Sequence, residues 1–172
     1  MIICSTNLGT LTEEEILELV KEDWGWDIEG KSTYDIVCEY EEATLDMERE
    51  CLDQFVNQVD KELKGHYFLI EADLGLWDGR RKARKIANSF DNAINSCLSS
   101  LEHYSVTYEK GEVLVEGSHH DGSNSFTIKP LSKRGMEYYD RHEYDPKMTD
   151  AELYEKLSHK DYTKKLKLKE EF

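Results

Sequence analysis

His119, His120 and Asp121 are adjacent, and imidazole nitrogens beside a carboxylate are the donors that a metal ion or an acid-base step requires. In an extended chain His119 and His120 point to opposite faces, so only one of them can join Asp121 at a single ion. A closed zinc site needs about four ligands and a catalytic one about three. The other histidines, His66, His103, His142 and His159, have no spacing that brings them in, although His66 and His103 each precede an expected strand. The triplet reads first as a polar hairpin tip, and a metal-dependent hydrolase using it is the alternative.

Gly75-Leu76-Trp77-Asp78-Gly79, followed by Arg80 and Arg81, is a second stretch that could carry chemistry, because glycine-rich turns after a strand can cradle phosphate. It has neither the G-x-x-x-x-G-K-[ST] nor the G-x-G-x-x-G spacing of nucleotide sites. The simpler expectation is a turn whose Trp77 packs on a sheet. The cations from Arg80 to Lys85 then form a solvated face, or serve a nucleic-acid-binding accessory protein. No G-x-S-x-G elbow is present, and Cys4, Cys38, Cys51 and Cys97 form no C-x-x-C or zinc-finger spacing, so free thiols in a reducing compartment and no cofactor are expected.

Charge is the third feature. The formal net charge is −15. Between Leu11 and Asp73 there are 20 acids against 5 bases, while the rest of the chain balances at 17 of each. The whole imbalance sits in one segment, which speaks to solubility and partners rather than to fold. Direct nucleic-acid binding by that half is disfavoured, and basic protein surfaces are favoured. A rigid helix bearing carboxylates can offer a cationic groove the row of anions that it otherwise takes from phosphates.

These residues need elements to place them. Thr12 with Glu15 reads as a capping box, opening a helix that runs to Asp23 on the apolar face of Ile16, Leu17, Leu19 and Val20. Trp24 to Gly30 breaks it. From Thr33 to Tyr40 both strand alternation and helix periodicity fit. Ala43 to Lys64 is a helix about 33 Å long, with Gly65 as its stop. A strand follows from His66 to Asp73, then a helix opening at Ser89. Strands are expected over Tyr104–Glu109, Glu112–Ser118 and Ser125–Lys129, and the turns between them carry hairpin chemistry. Lys133–Arg141 and Asp150–Ser158 read as short helices before a lysine-rich, frayed tail from Lys160 to Lys169.

The predicted class is therefore α+β: a twisted antiparallel sheet of about four strands (β-α-β-β-β) with helices on one face. Residues 1–65 form the acidic helical segment, 66–131 the core, and 132–172 the C-terminal helices and tail, packed as one domain. No apolar run is long enough for a membrane span, and the start lacks the pattern of a secretory signal, so a cytoplasmic location is expected.

The pairing of Gly75-Leu76-Trp77-Asp78-Gly79 with His119-His120-Asp121-Gly122-Ser123-Asn124-Ser125-Phe126 resembles a group of small phage- and prophage-borne proteins of Gram-positive bacteria. The likeness covers about residues 66 to 131. It implies an accessory gene that counters host defence, such as an anti-CRISPR or antirestriction inhibitor, and supplies no catalytic residues. The resulting expectation is an inhibitor that binds a basic nucleic-acid-handling protein or ribonucleoprotein of the host, a Cas9-type nuclease for example. Its contacts would be Glu39, Glu41, Glu42, Asp46, Glu48, Glu50 and Asp53, with Trp24, Trp26 or Trp77 as aromatic anchors.

Overall fold

The computed structural model describes residues 1–6, 11–76, 79–119 and 122–168. In order, the elements are β1 (Ile2–Ser5), α1 (Glu13–Glu22), α2 (Thr33–Glu62), β2 (Phe68–Leu76), β3 (Gly79–Ala87), α3 (Phe90–Leu98), β4 (His103–Glu109), β5 (Glu112–His119), β6 (Gly122–Pro130), α4 (Lys133–His142) and α5 (Asp150–Leu157). The strands form one antiparallel sheet in the order β1-β4-β5-β6-β2-β3.

The α+β class holds, but the sheet has six strands among the described residues rather than about four. Both additional strands are edges. β1 is four residues long, too short for alternation to register. β3 contains the basic run, where the density of cations masked a period of two: Arg81 and Lys85 face one side, and Lys82 and Arg84 the other. Charged side chains suit an edge, since they discourage pairing with another chain.

Strand alternation divides the core between both faces of the sheet. Phe68, Ile70, Val106, Val113, Val115, Phe126 and Ile128 are buried on one face against α2 and α3. Leu69 points the other way, into a smaller cluster with Leu131, Leu153 and Leu157 that seats α4 and α5. The helices therefore cover two faces rather than one, because β2 is apolar on both sides at its first residues. The tail is also docked rather than frayed as far as it is described: Leu166 is buried, its amide donates to the Gly111 carbonyl, and Tyr108 Oη donates to its carbonyl over 2.8 Å.

The ambiguous stretch from Thr33 to Tyr40 is helical and continuous with the expected second helix, making α2 30 residues long, about 45 Å. Its two halves bury different sides. Ile36, with Val37 and Tyr40, packs on Ile16 and Val20 of α1 and on Trp24 and Trp26 of the following turn. Leu52, Phe55, Val56 and Val59 pack on the sheet. At about 100° per residue these faces differ by about a quarter turn, so no single apolar stripe runs the length of the helix. The α1–α2 pair is an acidic hairpin with its own small core, joined to the sheet through the C-terminal half of α2.

Candidate acidic interface

Asp35, Glu39, Glu42, Asp46, Glu50 and Asp53 recur at intervals of three or four residues along α2, the spacing that puts side chains on one helical face. All are exposed. The row extends about 27 Å along the axis. It lies away from both apolar faces of α2, so it looks outward along the hairpin and its junction with the body. Two members have local cations: Lys31 Nζ lies 2.6 Å from Glu39, and Arg49 Nη1 lies 3.1 Å from Asp46. Both pairs are solvent-exposed and hold the side chains only lightly.

The remaining expected contact residues fall elsewhere. Glu41 is exposed but projects from a different side of the helix. Glu48 is half-buried and accepts the Ser5 amide at Oε2 over 2.6 Å, fastening β1 to α2. Trp24 and Trp26 are half-buried in the hairpin core, with ring centroids 5.2 Å apart, and Trp24 is also 5.2 Å from the Tyr40 ring. They give the hairpin its shape and are not on the carboxylate row. Trp77 lies outside the described residues.

Sequence reasoning missed two parts of the acidic surface. Asp35 belongs to the row but preceded the expected helix start. On α1, Glu15, Glu18, Glu22 and Asp23 line a shallow groove of about 260 Å³. Glu18 and Glu22 share a face at i,i+4 spacing, which the sequence already displayed. Glu15 has a second task, since its carboxylate takes the Thr12 amide over 2.7 Å and completes the capping box. Those hydrogen bonds from Thr12 hold its carboxyl below the usual range.

Gly75 of β2 and Gly122 to Asn124 of β6 meet at one end of the sheet. β6 pairs with β2, with Leu74 opposite Asn124 and Asp73 opposite Ser125. Gly75 N–H donates to Asn124 Oδ1 over 3.1 Å, and a β-carbon on Gly75 would meet the Ser123 carbonyl. His119 is exposed and opposite Gly122 in the ladder, while His120 and Asp121 lie outside the described residues. Among the described residues, no three His, Cys, Asp or Glu side chains are grouped as a metal site would require. No described helix is long and apolar enough to cross a membrane.

No family model, curated protein or solved structure matches this chain. The acidic hairpin and the joined hairpin ends therefore rest on their own geometry. What the hairpin can do chemically is donate electron pairs to cations: six carboxylates at helical spacing, carried on a helix fixed at both ends, with few bases between them.

Proposed function

We propose that the protein is a binding inhibitor, not a catalyst, whose α1–α2 hairpin enters a cationic cleft that another protein uses for nucleic acid. The observation that carries this reading is the carboxylate row of α2. Like charges at i,i+4 destabilise a helix by about 0.2–0.5 kcal/mol per pair, and Asp35–Glu39, Glu42–Asp46 and Asp46–Glu50 each incur that cost. Interleaved lysines would relieve that repulsion and stabilise the helix. The row is also pre-organised, because the Trp24–Tyr40 packing fixes one end of α2 and the sheet core the other. A partner would then spend little ordering it on binding.

The resemblance of residues 66–131 to phage- and prophage-borne proteins makes a host defence nuclease, of Cas9 type or a restriction enzyme, the first partner to try, with action in the host cytoplasm. The test is capture of such a nuclease by the wild type and by a variant carrying Glu42→Lys, Asp46→Lys and Asp53→Lys. Capture by the wild type should be lost in the variant and should compete with nucleic acid. A charge-matched control, Glu109→Lys, Glu116→Lys and Glu137→Lys, should retain it. Equal loss in both variants would reduce the effect to net charge, and undiminished capture by the first would remove α2 from the interface.

A further inference from the structure

We propose that a recess between the β2–β3 hairpin and α3 binds a small amphipathic carboxylate, with its hydrocarbon body on the sheet and its charge at Lys85. This site is separate from the acidic hairpin and does not depend on its function. The recess follows from residue sizes. Along the ladder, Ile70 faces Lys85, Ala72 faces Ala83 and Leu74 faces Arg81, all on the side of the sheet that α3 covers. The Ala72–Ala83 pair contributes only two methyl groups where neighbouring pairs contribute long side chains. α3 ends at Leu98 and leaves a space of about 260 Å³, walled by Cys97 and floored by Ile70, Ala72, Leu74, Ala83 and Phe126.

The charges around this space select the ligand. In a chain with a net charge of −15, none of the described residues that line the recess is an acid, and the lining cation Arg84 is already paired with Glu71 and Glu155. Glu71 and Asp73, the acids of β2, alternate onto the opposite face, where Glu71 is 2.9 Å from Lys129 Nζ and 3.2 Å from Arg84 Nε. Lys85 Nζ instead meets a neutral group, Ser96 Oγ, over 3.0 Å. Lys85 forms no ion pair with a described residue and is exposed beside the apolar floor. An apolar anion satisfies both features: its chain covers Leu74 and Phe126, while its carboxylate takes the ammonium of Lys85 in a charge-assisted bond. A fully apolar molecule would leave the Lys85 ammonium unused, and an amphipathic cation would be repelled.

The experiment is a titration of isotope-labelled protein with octanoate, octanol and octylammonium, followed by amide chemical shifts. Octanoate should give saturable shifts confined to Ala72, Ala83, Lys85, Ser96 and their neighbours. Octanol should bind more weakly, and octylammonium should leave those amides unmoved. Lys85→Glu, at an exposed position, should weaken octanoate by about tenfold and leave octanol unchanged. Ala83→Trp, an aromatic residue at an exposed strand position, should abolish shifts from both. The assignment is overturned if octanoate gives no saturable shifts, if octylammonium binds as well, or if binding survives Ala83→Trp in a variant whose spectrum is otherwise that of the wild type.

Discussion

The carboxylate of Asp60, near the end of α2, accepts the first amide of α3 from Phe90 over 2.8 Å and the second from Asp91 over 3.2 Å. Ser89 Oγ accepts the third, from Asn92, over 3.1 Å. The first three amides of α3, which no intrahelical carbonyl can reach, are thus all satisfied, and a negative charge lies at the positive end of the helix. Asp60→Ala should lower stability by about 1–3 kcal/mol, the usual cost of losing charge-assisted bonds, here to the part-buried Phe90 amide and the exposed Asp91 amide. A shifted urea midpoint at unchanged slope is the expected result.

Hairpin ends that meet through glycines should not tolerate side chains. A β-carbon on Gly75 would strike the Ser123 carbonyl, and one on Gly122 would strike the Gly75 carbonyl at a φ of +148°. Gly75→Ala and Gly122→Ala should each cost about 1–3 kcal/mol through overpacking against backbone that cannot yield. In the Gly75 variant the Asn124 amide-group resonances should shift, reporting the loss of its contact with the Gly75 N–H.

Concentrated acid predicts a salt response. Raising the ionic strength from about 0.01 M to about 0.15 M shortens the screening length from about 30 Å to about 8 Å and relieves repulsion along the hairpin. The melting temperature should rise over that range. In the Glu42→Lys, Asp46→Lys, Asp53→Lys variant the rise should shrink while stability at low salt is retained or improved, since like-charge neighbours are removed.

The four thiols divide by burial. Cys38 and Cys51 are exposed, and Cys4 and Cys97 are buried. A thiol-specific chromophore should label the first two readily in native protein and the other two only on unfolding. Burial pushes the thiols of Cys4 and Cys97 up to about 12 from an ordinary value of 9.0, with the Glu48 carboxylate adding to the effect on Cys4. The folded state therefore keeps protons that the unfolded state releases. Their contribution is fully present below pH 9.0 and is lost as pH rises toward about 12. The slope is about 1.4 kcal/mol per pH unit for each thiol. Cys97→Ala should flatten that alkaline slope, as equilibrium unfolding across the range would show.

Docking of the tail is also measurable. Leu166 is 4% exposed, so Leu166→Ala should cost about 2–5 kcal/mol, as truncation of a buried leucine does. A change within about 0.5 kcal/mol, the range of ordinary surface substitutions, would mean that the segment contributes nothing to the core.

Local chemistry alone fixed much of this molecule. Thr12 with Glu15, Ser89 and Thr149 each start a helix where their side chains can take an orphan amide, and all three do so. The turn at Lys110-Gly111 adopts the left-handed backbone that joins β4 to β5. Charge segregation is a property of the sequence as well, because no fold can move the imbalance out of residues 11–73. Tertiary structure decided the rest, since each remaining feature depends on residues far apart in the chain. β1 exists because β4 offers it an edge, and β3 because β2 pairs with its full length despite its cations. The segment from Thr33 to Tyr40 fits two periods by itself and becomes helix because Ile36 and Tyr40 find α1 and Trp24. The same packing selects which acids stay free of the body: it turns Glu48 inward to Ser5, sets Asp60 on α3, and leaves Asp35, Glu39, Glu42, Asp46, Glu50 and Asp53 exposed in one row.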